Sequence, residues 1–339
     1  MTGDINLMGV TDPAVPFAQM ADEFRKADVV FSNLECCLYE TPAGHSVRNE
    51  GFFADPGCGK ALALGGIQVV GIANNVHYGD AAILSSIARL DELGVRHTGA
   101  GPDLAAACAP VTIERAGVRY GFLQRSSVYW PTNHEAQEDA AGIAVIRGHT
   151  AYHVPVFKSK VGVPPPNRPG VPPEIVTWAD AHYLHCFRED IAALRRRVDV
   201  LVASCHWGLG KEVLHYMREI AHAAIDAGAD VVVGHGPHYA LAAEVYRGRP
   251  IFYGLGSFSF HTGHGGRRHD SWVGMMVRVA AGKTGVRAAT FQFVRHNDRN
   301  ETHLCRLADE ADTLAEIIEA SARFGTMLTP QRDQVRVGL

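Results

Sequence analysis

Short apolar runs alternate along the chain with longer segments of helical, amphipathic pattern. Buried strands are predicted for the runs at 29–33, 67–73, 198–204 and 230–234. Helices are predicted for stretches between them, at 17–27, 81–93, 187–197 and 213–227. Strands that alternate with helices in this way are typical of sheets that are covered by helices.

The pattern changes toward the end of the chain. Further strands are predicted at 119–124, 251–253, 274–279 and 288–294, with little helical sequence between the last three. A second, partly antiparallel sheet is therefore expected. The predicted fold class is α/β, with two mixed sheets packed together and flanked by helices. Residues 1–339 are expected to form one domain, with a surface helix at 307–324.

Two segments are predicted to be irregular. The stretch 154–173 contains seven of the 17 prolines, which fix φ and lack the N–H donor that regular structure needs. It is interpreted either as a connection between two halves of the fold or as a lid over the active site. The loop at 261–269 is rich in Gly, His and Arg, and such a loop could reach a substrate.

Composition narrows the choice of partner and compartment. Hydrophobic residues make up 47% of the chain and the net charge is -4, so a packed core is expected and neither nucleic acid nor an anionic membrane is favoured. The seven cysteines form no C-x-x-C pair, which indicates reduced thiols. No signal peptide and no apolar run of about 18 residues is visible. A cytoplasmic protein that acts on a small molecule or a peptide is expected.

The residues that could carry chemistry lie at the ends of the predicted strands. In chain order they are Asp4, Asn6, Glu35, Asn75, His77, His206, Trp207, His235 and His238. Loops beyond the carboxyl ends of strands converge on the ligand site in open α/β sheets. Six of them, Asp4, Glu35, Asn75, His206, His235 and His238, are therefore expected to surround one cavity.

Six short motifs carry a resemblance to a known family. They are Asp4-x-Asn6, Asn33-Leu-Glu35, Ala73-Asn-Asn75 with His77, His206-Trp-Gly208, Gly234-His235 with His238, and Tyr253-Gly-Leu-Gly-Ser-Phe258. In this order they resemble the CapA-like (poly-γ-glutamate capsule synthesis) family and, more distantly, the calcineurin-like binuclear metallophosphatases. The resemblance covers roughly 3–260 and implies a four-layer α/β/β/α sandwich with the site at the strand ends.

The chain departs from the metallophosphatase pattern at three of these motifs. Asn6 stands where the first His is expected, Glu35 where the bridging carboxylate is expected, and Val76 separates Asn75 from His77. Neutral amides are weak ligands for two bridged divalent ions. No cofactor and no bound metal are therefore predicted. A single ion could still be held by Asp4, Glu35, Asn75, His206, His235 and His238.

The weakened ligand set also resembles the lasso-peptide epimerases, CapA-like enzymes that invert the Cα of a C-terminal tryptophan in a ribosomal precursor peptide. Inversion needs a base and an acid on opposite faces of the carbon, and donors for the enolate-like oxygen. The resemblance implies that Asp12 and His296 are this pair. The residues alone leave alternatives, because Thr11-Asp12-Pro13 is typical of a helix N-cap and the residues from His296 to Asp298 of a turn.

The preferred prediction is a metal-independent peptide epimerase whose partner is a precursor peptide, with or without a leader-binding protein. Arg125, Arg267 and Arg268 could clamp a peptide carboxylate, or could be ordinary surface arginines. The first alternative is a metal-dependent phosphoesterase or other hydrolase, or an enzyme of poly-γ-glutamate metabolism. The second alternative is a peptide-binding module without catalytic activity.

Overall fold

The structure is a computed structural model that describes residues 1–41, 51–76, 79–130, 134–153, 172–269 and 271–339. Its strands are β1 (Asp4–Asn6), β2 (Phe31–Leu34), β3 (Cys37–Leu38), β4 (Phe53–Ala54), β5 (Val69–Gly71), β6 (Arg96–Thr98), β7 (Ala100–Gly101), β8 (Val111–Arg115), β9 (Val118–Ser126), β10 (Gly142–Ile143), β11 (Gly148–His153), β12 (Glu174–Ala179), β13 (Val200–His206), β14 (Val231–His235), β15 (Ala243–Tyr246), β16 (Arg249–Phe252), β17 (Ser257–Phe260), β18 (Gly274–Gly282), β19 (Gly285–His296), β20 (Thr302–Leu304), β21 (Leu328–Gln331) and β22 (Gln334–Val337). Its α-helices are α1 (Ala21–Phe24), α2 (Lys60–Gly65), α3 (Gly79–Glu92), α4 (Leu104–Cys108), α5 (Ala181–Arg195), α6 (His215–Ala227) and α7 (Ala311–Ala322).

Two central sheets bring most of the predicted strands together. The first has five parallel strands in the order β17-β1-β2-β5-β6. The second has six strands in the order β15-β16-β14-β13-β9-β8, of which β16, β14, β13 and β9 are parallel. Because parallel strands end at the same edge of a sheet, the loops that follow them also meet at that edge.

The strand-rich end of the chain forms a separate antiparallel sheet. Its order is β18-β19-β22-β21, with β20 also paired to β19. The α/β class is confirmed, but the described residues form more sheets than the two predicted, and the first central sheet is wholly parallel. The additional antiparallel sheet arises because β18 and β19 pair with each other, and β19 pairs with β22 of a terminal hairpin that was not predicted.

Aromatic and aliphatic side chains fill the space between the two central sheets. The rings of Phe31 and Phe122 stack with their centroids 5.3 Å apart, next to Val202 and Val233. Helices α2 and α3 pack on the other face of the first sheet, and helices α5 and α6 on the other face of the second. Each fully buried Leu or Phe of this kind contributes about 1.5–3 kcal/mol to the stability of the folded state.

Local sequence signals explain where the long helices begin and end. Helix α5 begins after Asp180, whose carboxylate accepts hydrogen bonds from the N–H groups of His182 and Tyr183. Helix α6 ends at Gly228, which has φ 117° and adopts a conformation that glycine tolerates best. The predicted helix at 17–27 is reduced to α1, because the residues before Ala21 form successive turns.

Other expectations have mixed outcomes. The predicted helix at 307–324 is a 3₁₀ turn followed by α7. The proline-rich stretch 154–173 lies outside the described residues except for its last two positions. The cysteines are free thiols, and most of them are buried. Among the helices that the structure describes, none has both the length and the apolar composition that a membrane span requires.

Candidate active site

Five of the predicted site residues meet where the two central sheets face each other. Asp4 lies on β1, Glu35 follows β2, His206 ends β13, His235 ends β14, and His238 lies in the next loop. Strand pairing places His206 opposite His235 within the second sheet. We call these five residues the buried cluster.

Asp4 is the centre of the buried cluster and is fully buried. Its Oδ1 accepts a hydrogen bond from Asn33 Nδ2 at 2.9 Å and lies 3.2 Å from His235 Nδ1. Its Oδ2 accepts a bond from the Gly236 N–H at 3.3 Å and lies 3.4 Å from His238 Nδ1. The carboxylate therefore has several stabilising partners despite its burial.

Glu35 is the second buried carboxylate of the cluster. Its Oε1 lies 3.5 Å from His206 Nε2 and 3.5 Å from His238 Nε2, whereas its Oε2 has no hydrogen-bond partner among the described residues. His238 therefore lies between the two carboxylates. Its side chain is 28% exposed, while the other four side chains are 2% exposed or less. Within the cluster, His238 is therefore the residue that a substrate can reach.

Burial and neighbouring charged groups have opposite effects on the pKa values of these residues. Burial opposes ionisation of Asp4, but hydrogen bonds with His235 and His238 hold its pKa well below the usual range. Burial raises the pKa of Glu35 well above its usual range, and lowers the pKa of His206 to about 4. Burial also disfavours a charged His238, yet the neighbouring carboxylates raise its pKa to about 9. An imidazolium at His238 thus balances the negative charge of Asp4 near neutrality.

The donor set fits one divalent cation better than two. Asp4, Glu35 and His238 each offer a ligand atom, and these atoms lie within 4.8 Å of one another. Glu35 Oε2 lacks a hydrogen-bond partner among the described residues, so it could accept a cation. Asn6 does not extend this set, because its Nδ2 donates to the Thr262 carbonyl at 2.8 Å and its Oδ1 accepts from the Met8 N–H at 2.9 Å. A second, bridged ion would therefore lack the histidine ligand that the metallophosphatase pattern has at the position of Asn6.

The remaining predicted strand-end residues differ in their burial and hydrogen bonding. Asn75 is half-buried, and its Oδ1 has no hydrogen-bond partner within the described part of the chain. Trp207 is fully buried and donates its indole N–H to the Tyr253 carbonyl at 2.8 Å, so it supports the strand ends instead of facing a ligand. His77 lies outside the described residues.

Gln124 is a supporting residue that the sequence analysis missed. Its Nε2 donates to Asn33 Oδ1 at 3.0 Å and to Ser204 Oγ at 3.2 Å, and its Oε1 accepts from the Ala73 N–H at 2.7 Å. It therefore links both central sheets just behind Asp4. The sequence signal that could have identified Gln124 is its position inside the buried part of strand β9. A polar side chain buried there usually has a hydrogen-bond partner.

Asp12 and His296 belong to neighbouring segments. Asp12 is exposed, and its Oδ1 accepts from the Ala14 N–H at 2.9 Å within a turn that does not start a helix. His296 ends β19, where it pairs in register with Thr302. The Thr302 N–H donates to the Pro16 carbonyl at 2.9 Å, so the segment that contains Asp12 is bonded to the strand opposite His296.

Aromatic rings connect His296 with the buried cluster. The His296 ring lies 4.9 Å from Trp272 and 5.7 Å from His261, measured between centroids. His261 directly follows Phe260, whose ring lies 4.8 Å from that of His238. The loop at 261–269 thus borders both groups.

The three candidate arginines differ in their surroundings. Arg125 is buried, and its guanidinium donates to the Gln124 carbonyl and pairs with Asp190. It does not fit the predicted carboxylate clamp, because it is buried and both of its terminal nitrogens already donate hydrogen bonds within the protein. Arg268 is exposed and pairs with Asp298 at 2.8 Å. Arg267 is exposed on the same loop and remains a candidate clamp.

A buried histidine between β9 and β10 predicts acid sensitivity. Burial lowers the pKa of His134 to about 4. Below about pH 6.5 the histidine is therefore protonated in the unfolded state but stays neutral in the folded state, and this difference favours unfolding. We expect the free energy of unfolding to fall by roughly 3 kcal/mol through this residue as pH falls from 6.5 to 4. Urea unfolding at several pH values should show a shallower decline in His134→Asn. An unchanged decline in His134→Asn, or an equal change in a control His303→Asn, would contradict this assignment.

Comparison with known proteins identifies the family of this chain. The model of the bacterial capsule synthesis protein family, PGA_cap, matches residues 2–262, and the chain belongs to this family. It is 27% identical over 286 residues to the uncharacterized protein y4sH of Sinorhizobium fredii, covering 72% of this chain and 61% of that protein.

Two relatives have names that refer to polymer synthesis. The PGA biosynthesis protein CapA of Bacillus subtilis is 41% identical over 75 residues, which are 22% of this chain and 20% of that protein. The probable polyglutamine synthesis accessory protein MT0602 of Mycobacterium tuberculosis is 29% identical over 196 residues, 56% of this chain and 44% of that protein. The chain thus spans less than two thirds of the length of each of these relatives.

Proposed function

We propose that this CapA-like chain is a peptide epimerase that inverts a Cα centre by acid/base catalysis without a metal ion. The observation that supports this most is the bond between the Asp12 segment and the strand opposite His296, through Pro16 and Thr302. The segment that carries the exposed Asp12 carboxylate is thus bonded to the residue that pairs with His296. The substrate would be a ribosomal precursor peptide, with a leader-binding protein as a further partner.

In this mechanism one of the two groups removes the Cα proton and the other returns a proton to the opposite face. His296 suits either step because the unperturbed pKa of imidazole is close to neutrality. His238 would donate a hydrogen bond to the developing enolate-like oxygen. Asp4 and Glu35 hold the His238 ring from behind, and its backbone adopts φ 62°, an unusual value that often marks functional residues.

A metal-dependent hydrolase is the second candidate, and one observation favours it. Asp4, Glu35 and His238 present ligand atoms within 4.8 Å of one another, with His206 next to Glu35. A cation bound there would polarise a phosphoryl or carbonyl oxygen. The four-layer sandwich of metallophosphatases, which we also propose for the two helix-covered sheets, suits both candidates.

Chelation separates the two candidates. We expect purified protein treated with EDTA to keep its rate of deuterium incorporation at the Cα of a peptide in heavy water, because Asn6 offers no ligand for a bridged pair. Metal analysis of the same sample by mass spectrometry serves as the control for removal. Loss of this exchange on chelation, restored by manganese or zinc, would contradict the metal-free mechanism. Phosphatase activity that chelation abolishes would favour the hydrolase.

A further inference from the structure

A cleft of about 350 Å³ lies at the edge of the second sheet opposite to the buried cluster. Val200 and Val231, the first residues of β13 and β14, line this cleft, whereas His206 and His235 end the same strands. At about 3.3 Å per residue, the length of β13 separates Val200 from His206 by roughly 20 Å. We call this space the amino-edge cleft. It is therefore distinct from the proposed active site.

Three parts of the fold supply apolar walls to the amino-edge cleft. Phe122 and Val202 belong to β9 and β13 of the second sheet, Phe24 ends α1, and Met276 lies on β18 of the antiparallel sheet. All four side chains are buried. Water finds few hydrogen-bond partners against such walls, so an aliphatic chain fits them better than water does.

The charged side chains that line the amino-edge cleft leave one positive charge in excess. They are three cationic side chains, Lys26, Arg278 and Arg287, and two anionic ones, Glu23 and Asp28. Glu23 is shared by two of the cations, because Lys26 Nζ lies 2.6 Å from its Oε1 and Arg278 pairs with its Oε2. Among the residues that the structure describes, Arg278 Nε has no hydrogen-bond partner and Arg287 forms no ion pair. Both guanidinium groups can therefore accept a further anion.

An apolar cleft with guanidinium groups in its lining suits a ligand that has an alkyl chain and a terminal carboxylate. A carboxylate can accept two parallel hydrogen bonds from a guanidinium, and burial of the chain is favourable because it removes apolar surface from water. The volume lies at the lower end of the range for ligand pockets, which favours a single short chain. We infer that the amino-edge cleft binds a free, straight-chain aliphatic carboxylate of medium length, with its carboxylate at Arg278 and Arg287. This inference does not depend on the proposed function.

Isothermal titration calorimetry with hexanoate, heptanoate and octanoate tests the inference. The Kd should fall about fourfold with each added methylene, since each buries more apolar surface, and a single carboxylate should bind per chain. Arg287→Gln should raise the Kd for octanoate roughly tenfold, because a hydrogen bond to a charged group is lost, and should hardly change the Kd for octan-1-ol. Arg336→Gln is the matched control. Arg336 is an exposed arginine on β22 of the same antiparallel sheet and does not line the cleft, so neither Kd should change.

A second variant tests the apolar walls separately. Val200→Phe narrows the amino-edge cleft and should weaken the binding of octanoate more than that of hexanoate, while urea unfolding checks that the variant folds. A Kd that does not depend on chain length, or an equal loss of octanoate binding in Arg336→Gln, would overturn the inference. Binding of several octanoate molecules per chain would also overturn it, because this is the behaviour of a surfactant that adsorbs to the surface. Since Arg287 is exposed, Arg287→Gln remains a valid test even if Val200→Phe does not fold.

Discussion

Asp12→Ala and His296→Ala are each expected to lower the rate of Cα epimerisation by about 10²–10⁴-fold, the usual contribution of general acid/base catalysis. The measurement is deuterium incorporation in heavy water, combined with chiral analysis of the peptide. Because the Asp12 carboxylate is exposed and accepts a single backbone N–H, its loss should hardly affect folding. Asp12→Ala should therefore keep the far-UV circular dichroism of the wild type, and the same spectrum checks the folding of His296→Ala.

The chain offers close controls for both substitutions. Asp55 is also exposed and accepts a hydrogen bond from the N–H two residues later, so Asp55→Ala removes the same kind of turn contact at a residue outside the proposed pair. His303 lies on β20 beside the end of β19, so His303→Ala perturbs the same sheet. Both controls should remain active. Full epimerisation by Asp12→Ala or His296→Ala would end this assignment.

Asp4→Ala should lower the free energy of unfolding by about 3–5 kcal/mol, as is usual when one partner of a buried ionic pair is removed. The substitution leaves Asn33, His235 and His238 without their shared acceptor inside the protein. Urea unfolding followed by circular dichroism measures the change.

The surface pair of Arg323 and Glu319 provides the comparison, because exposed pairs contribute little. Glu319→Ala should leave the free energy of unfolding nearly unchanged. A similarly small effect of Asp4→Ala would mean that the buried cluster is not an interacting network. It would also remove the support that we assign to His238.

Much of the architecture could be predicted from local pattern. The apolar runs at 198–204 and 230–234 correspond to β13 and β14 within a few residues, because buried parallel strands need nearly continuous apolar sequence. The same pattern placed His206 and His235 at strand ends. Their proximity followed from the rule that parallel strands end at one edge. The sequence by itself therefore determined the α/β class and the main site candidates.

Pairings between distant segments could not be predicted in this way. Arg125 is buried against Asp190, 65 residues away, and Gln124 reaches Asn33, 91 residues away. Neither strand pattern nor spacing names the partner of a polar side chain, because that partner depends on how the sheets stack. For the same reason only the tertiary structure showed that His238 is the reachable member of the cluster, and that the Asp12 segment lies against the strand opposite His296.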